Sequence, residues 1–474
     1  MARPKIEFLQ RDDIERIHDT TLRVLGEVGV VIHSENTCDM LKAAGATESR
    51  DGKRILMPEE LVRESIKSAP KSFILAARDK KWDLRLPSRD RLFVANGGEA
   101  VFVKDLITGE SRYSNSDDVR DFTIFINELP QVDFWWQMVG AIEQPNHLKY
   151  LVEIKLGFEY SVKHVQAMAA NAEEARHSID MASTLVGSKE ALAKRPILSA
   201  CLCPISPLTF EGGLAEAQIE YSKAGIPVVA MVAAVAGLTS PATLSGTITQ
   251  ANAENLASLV ISQTAKKGAP WVYSSDSSAG DLKTGSINYR AFETYMLRAG
   301  SGQMGRFYGF PTMVAGIGLE RISLSLGSIE EGIPYMAIQS LVDSDLGSGI
   351  GGIDEAAGAS FEQFLTDCWV WEVAKGFSRD FDTGPDAISF ETIRDGGLDT
   401  NFLNKRHTMA RFKKEFLATS LPEATLSGPK EPRPRGELIK KAHEKAKEML
   451  SRPKTALVTK DESERMNAII DKLR

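Results

Sequence analysis

The chain has 474 residues, 43% hydrophobic and 26% charged, with a formal charge of −7. This is ordinary globular composition, too acidic to suggest a nucleic-acid partner, and it holds no run of about 18 apolar residues to span a membrane. Four cysteines in such a length exclude a disulfide framework and suit a reducing cytoplasm.

The opening MARPKIEFLQRDD has no apolar segment of the signal-peptide kind and reads as mature protein. Asp12 and Glu15 resemble a capping box, and Ile14, Ile17, Thr21, Val24, Leu25 and Val28 follow at helical spacing until Gly29. A second helix is predicted over 58–69, with Pro58 at its start. Residues 91–114 then alternate apolar and polar around Asn96-Gly97-Gly98 and Thr108-Gly109, which predicts short antiparallel strands. Residues 1–130 thus read as a helical and β-hairpin extension.

From there strand, turn and helix repeat. Apolar runs fall at 133–140, 164–170, 197–203, 227–236, 271–275, 312–318 and 346–353, each followed by a helical stretch. Runs this continuous are buried on both faces, which implies a parallel sheet. No G-x-G-x-x-G follows the first run, so an eight-fold (β/α)8 TIM barrel over 131–425 fits better than an open sheet. The eighth strand is sought in 387–402. The remaining 426–474 form a charged helical tail, and from Lys430 it holds 13 Lys/Arg against 8 Asp/Glu. Within it Leu438, Ile439, Ala442, Ala446, Met449 and Leu450 make an apolar stripe. That stripe is expected to clasp a neighbouring subunit of a homo-oligomer.

No P-loop, H-E-x-x-H or G-x-S-x-G occurs. Cys201 and Cys203 have no histidine near them in sequence, so they read as a buried pair and no bound metal is expected. Carboxylates read at predicted strand C-termini are Asp276, Glu320 and Asp345, with Glu143 just beyond the first strand. Such residues are functional in barrels, or cap the next helix. Trp135 and Trp136 are adjacent, so one faces the barrel interior; Trp271 and Tyr273 share a face. These aromatics are either core packing or a cage for a quaternary ammonium. Arg321 is a candidate for an anionic group on the substrate. Gly349, Gly351 and Gly352 read as backbone approached closely by a flat ligand or a partner.

An ordered series of short motifs resembles the trimethylamine methyltransferase superfamily. It includes Gly97-Gly98-Glu99-Ala100, Asp117-Asp118-Val119 and Leu129-Pro130-Gln131-Val132-Asp133-Phe134. It continues with Pro204-Ile205-Ser206-Pro207-Leu208, Thr239-Ser240-Pro241-Ala242-Thr243-Leu244, Asn252-Ala253-Glu254-Asn255 and His407-Thr408. The resemblance covers 12–416 and implies a (β/α)8 barrel that passes a methyl group from an amine to the Co(I) of a corrinoid on a separate small protein. The trimethylamine enzymes carry pyrrolysine at the end of the seventh strand; here the segment Asp343-Ser344-Asp345-Leu346-Gly347-Ser348 puts that position near Leu346. The chain is thus similar to the branch without pyrrolysine, whose members demethylate quaternary amines. Glycine betaine leads, followed by carnitine and proline betaine. Gly318-Leu319-Glu320-Arg321 departs from the Thr-Asp-x-Lys segment of relatives, which leaves the substrate open. On this resemblance Asp345, Leu346 and Glu320 are expected at the catalytic centre. Trp136, Trp271, Tyr273, Asp276 and Arg321 are expected around the substrate, and Gly349, Gly351 and Gly352 facing the corrinoid. The competing classes are a non-catalytic sensor of betaine-like solutes and a lyase or aldolase barrel.

Overall fold

A computed structural model describes residues 4–88, 90–318, 326–396, 401–415 and 437–474. Eight parallel strands close into a barrel: β1 (Phe93–Asn96), β2 (Phe134–Trp136), β3 (His164–Ala167), β4 (Leu198–Leu202), β5 (Val228–Val232), β6 (Trp271–Ser275), β7 (Thr312–Gly316) and β8 (Leu346–Ile350). Each is followed by a helix: α1 (Ser116–Glu128), α2 (Asn146–Tyr160), α3 (Ala172–Val186), α4 (Gly212–Ala224), α5 (Leu244–Ala265), α6 (Phe292–Phe307), α7 (Leu326–Ser340) and α8 (Phe361–Ala374). The barrel and the helical extensions on either side of it are as the sequence predicts.

Two strand assignments need correction. Phe93–Asn96, expected in an antiparallel unit ahead of the barrel, is barrel strand β1 and pairs in parallel with β8 and β2. The barrel therefore begins inside the segment assigned to the extension. The described part of 387–402 holds no strand, its helical residues lying in Pro385–Ile388 and Phe390–Gly396, so the last sequence-predicted run, containing β8, closes the barrel.

Local chemistry explains the helix starts. Asn115, Asn171 and Ser360 cap α1, α3 and α8 by accepting the backbone N–H three residues on. Helix α5 is buried on nearly every side because the helices Arg11–Arg23 and Glu59–Ser68 pack over its outer face. The tail stripe is also covered from within the chain. Glu437–Leu450 packs on α8 with Ala442, Ala446 and Met449 buried, and His443 Nδ1 lies 3.0 Å from a Glu362 carboxylate oxygen. The expected clasp of a second subunit loses its rationale, because the stripe has an intramolecular partner.

The N-terminal end of the barrel is plugged. An antiparallel hairpin, Phe73–Leu75 with Leu84–Leu86, inserts Leu75, Leu84 and Leu86 against Phe93, Phe134, Val272, Met313 and Leu346. At the opposite end two small sheets rise beyond the strands. One joins Val235–Ala236, Ser278–Asp281 and Ser286–Asn288; the other joins Gly352–Ile353, Gly358–Ala359, Phe102–Lys104 and Ser111–Tyr113. With the floor closed by leucine and the far end rimmed by loops, access to the interior is from the C-terminal ends of the strands, the reactive end of such barrels.

Candidate active site

Alternation along each strand decides which side chains face inward. On β2 Trp135 points out, its Nε1 donating to Thr123 Oγ1 of α1 at 2.8 Å, and Trp136 points into the barrel with Phe134. Gly98, in the loop after β1, lies against the Trp136 ring; a Cβ there would meet it at 2.8 Å. On β3 Val165 and Ala167 face the helices, leaving His164 and Gln166 inside. Inward from β4 and β5 come Cys201, Cys203 and Met231, with Met168 beyond the end of β3. Cys201 Sγ and Met231 Sδ are 4.0 Å apart. A hydrogen bond with Cys203, then burial, push the Cys201 thiol well above its ordinary range, so it stays neutral. The interior near the mouth is thus an indole, an amide and soft sulfur atoms, a lining suited to a diffuse, weakly hydrated cation.

Trp271 and Tyr273 do not join it. Trp271 Nε1 donates to Ser258 Oγ at 3.3 Å and the Tyr273 hydroxyl to Asn252 Oδ1 at 3.2 Å, both on α5. The two rings meet edge to face at 6.2 Å in the layer between strand and helices. The expectation that they cage a ligand is corrected: Val272 holds the inward position on β6, which turns both aromatics outward.

At the rim Asp276 stands beyond the C-terminal end of β6, as expected. It accepts from Arg298 Nη2 at 2.8 Å and from the Tyr289 hydroxyl at 3.2 Å. Arg298, on α6, is almost fully buried. It passes so close to Gly316 that a Cβ there would lie 1.9 Å from its Nη1. This cation is missed by sequence reasoning, since nothing in a helix sequence says which arginine folds back over a strand end. Glu320 and Arg321 lie outside the described residues. Glu143, considered with the strand-end acids, caps α1 through Ser116 N at 3.0 Å.

Asp345 and Leu346 sit at the wrong end for catalysis. Asp345 precedes β8 on the floor side. It takes Arg306 Nη1 and Nη2 at 2.7 Å each, Thr312 N at 2.8 Å and Ser88 N at 2.7 Å. Leu346 is buried in the floor layer, in register with Met313 and Phe93. The glycines are explained by the chain itself. Gly349, at φ +125°, meets the backbone of Gly318, where a Cβ would lie 1.9 Å from the Gly349 carbonyl oxygen. Gly351 gives room to Phe364, and Gly352 pairs with Ala359 in the rim sheet. Their close approach is intramolecular, so it carries no evidence of a corrinoid.

Two other buried titratable groups, Lys163 and His164, serve the fold. Lys163, at the entry to β3, donates to the carbonyls of Ile126, Leu129 and Val132 at 2.5, 2.8 and 2.5 Å, which leaves it no role as a Schiff-base lysine inside the barrel. His164 Nδ1 bonds the Ala76 carbonyl and Nε2 the Ser199 hydroxyl, both at 2.8 Å. Burial lowers its pKa from 6.5 to about 4. The unfolded chain therefore binds this proton more readily. The neutral ring's stabilisation is complete above the unfolded value near 6.5 and is lost as pH falls toward 4. Up to about 3 kcal/mol is at stake. Urea midpoints between pH 7 and 4 should fall less steeply in His164→Gln than in the native chain; parallel slopes would contradict the assignment.

Among the described residues no group of three or more His, Cys, Asp or Glu side chains could hold a metal ion, and no helix is long and apolar enough to cross a membrane. Clefts of about 410 and 420 Å³ lie on the outer helices, around Arg16 and Thr243 and around Arg176 and Glu216, and share no residue with the barrel lining.

The trimethylamine methyltransferase (MTTB) family model matches residues 1–474. The chain belongs to this family. It is 26% identical over 428 residues to the glycine betaine methyltransferase of Desulfitobacterium hafniense strain Y51, covering 89% of this chain and 87% of that one. To the trimethylamine methyltransferase MttB of strain DCB-2 it is 28% identical over 404 residues, covering 85% and 81%. To MttB of Methanosarcina barkeri it is 25% identical over 475 residues, covering 99% and 95%. The fold is shared with the M. barkeri monomethylamine methyltransferase MtmB, with a TM-score of 0.54 at 11% identity over 94% of this chain and 88% of that one. The chain is thus a member of a methyltransferase family of the methylamine type.

Proposed function

We propose that this chain transfers a methyl group from a quaternary amine, glycine betaine first among them, to the Co(I) of a corrinoid carried by a separate small protein. The observation that carries the reading is the inward Trp136 over a sulfur-lined, uncharged interior in a chain that belongs to this family. A quaternary ammonium leaves as a neutral tertiary amine, so no acid need protonate its nitrogen. The chain has to hold one N–CH3 bond toward the mouth, keep water away and leave the approach open. The lining meets these needs. Trp136 faces the cation, Met168, Cys203 and Met231 exclude water, and the Asp276–Arg298 pair stands at the rim. The corrinoid supplies the nucleophile. A glycine betaine methyltransferase of similar length among the relatives supports the substrate class. The four unpaired cysteines suit a reducing, cytoplasmic setting.

Mixing the protein with reduced free cobalamin and a panel of glycine betaine, carnitine, proline betaine and trimethylamine tests this. The expected result is loss of the Co(I) spectrum with at least one quaternary amine and none with trimethylamine. Turnover of trimethylamine alone would overturn the substrate class, and binding of betaine without spectral change would favour a sensor.

A further inference from the structure

Two polar groups inside the barrel have no hydrogen-bond partner among the described residues: the indole Nε1 of Trp136, and both amide atoms of Gln166. Gln166 is fully buried and Trp136 is 7% exposed. They are register partners on β2 and β3, so indole and amide stand side by side on the inner wall, on strands about 4.8 Å apart. Buried amides left unpaired are rare because the lost hydration is not recovered. Here two donors with the same need share one wall of the chamber that opens toward the mouth. Around them stand Met168, Cys201 and Met231. The carboxylates whose charge reaches Cys201 in this lining are Asp276 and Glu99, and each is paired outside the lining, Asp276 with Arg298 at 2.8 Å and Glu99 with Lys149 at 2.6 Å.

We propose that Gln166 and Trp136 hold the oxygen end of the substrate and thereby select a zwitterion, a methylated amino acid of net zero charge, over a plain quaternary cation. The proposal rests on the quaternary-amine reading above and assigns the other half of the ligand. An isolated charge entering an uncharged chamber loses hydration with no counter-charge to replace it. A betaine brings its own counter-charge two or three bonds away, and its carboxylate accepts from the Gln166 Nε2–H and the Trp136 Nε1–H. The ring face of Trp136 remains for the ammonium. One residue thus addresses both ends, its edge the oxygen and its face the nitrogen.

Calorimetric titration of the full-length protein with glycine betaine and with tetramethylammonium, in the absence of corrinoid, tests the assignment. Tetramethylammonium has the same head without the oxygen. Gln166→Leu should weaken betaine about ten- to hundred-fold and leave tetramethylammonium within about two-fold. Its melting temperature should be equal or higher, since an unpaired amide gives way to an apolar group of similar size. Gln166→Glu should weaken betaine and strengthen tetramethylammonium, because it adds the missing counter-charge. Unchanged betaine affinity in both variants would overturn the proposal while leaving the quaternary-amine reading intact, as would equal losses for both ligands. If the native protein binds neither ligand, the quaternary-amine reading falls and this assignment falls with it.

Discussion

Asp345→Ala is expected to destabilise the fold by about 3–5 kcal/mol, the usual consequence of leaving one partner of a buried ion pair unmatched. Asp345 is fully buried and receives two guanidinium N–H groups of Arg306 and the backbone N–H groups of Thr312 and Ser88. It therefore ties α6, β7 and the segment ahead of β1 to the start of β8, at the point where the barrel closes. Arg306 keeps one carboxylate, Asp343, at 3.0 Å, so part of the pairing survives. In a chain of this size the melting temperature should fall by about 3–5 °C. Asp345→Asn should fall less, because one oxygen still accepts. Turnover at a temperature where the variant is folded should stay near the native value. Normal melting with abolished turnover would show that this carboxylate belongs to the reaction, against its place on the floor.

Trp136→Leu should raise the dissociation constant for glycine betaine at least two- to thirty-fold, the worth of one aromatic face to a desolvated cation. Its effect on KM should exceed its effect on kcat. The attraction weakens as the nitrogen loses charge in the transition state, so the ring stabilises the bound amine more than the reacting one. Trp271→Leu and Tyr273→Phe act differently. Trp271 is fully buried against α5, and its loss should cost about 2–4 kcal/mol of stability with amine affinity unchanged in protein that remains folded. Thermal melts beside titrations separate the cases. Affinity lost in Trp271→Leu but kept in Trp136→Leu would invert the assignment of faces.

The architecture was legible where hydrophobic runs recur between helical stretches, and seven of the strands follow from that alone. β1 was hidden because Asn96-Gly97-Gly98 has the composition of a hairpin turn, whereas here it lets a loop lie against the Trp136 ring. Facing was harder. Every residue of Trp271–Ser275 is buried, so the strand has no polar alternation to reveal which side meets the helices. The same holds for Phe134–Trp136, where a pair of tryptophans guaranteed one inward ring without saying which. Asp276 could be placed at the mouth because it closes an apolar run. Asp345 instead precedes the last run, 346–353, whose strand also starts at Leu346, so its place at the N-terminal end of that strand was already in the sequence and the catalytic expectation overlooked it. Gln166 gave no signal in sequence, since a single glutamine in an apolar run reads as a solvated residue until its missing partners are seen. Arg298 likewise needed the fold, which brings α6 back over Gly316.

Methyl transfer can be followed on the methyl carbon itself. The protein is incubated with glycine betaine carrying 13C in its N-methyl groups and with reduced cobalamin, then assayed by NMR. The expected products are equimolar dimethylglycine and 13C-methyl on cobalt, formed only when protein, amine and Co(I) are all present. Unlabelled cobalt with intact betaine, in protein shown by calorimetry to bind that betaine, would contradict methyl transfer from a quaternary amine.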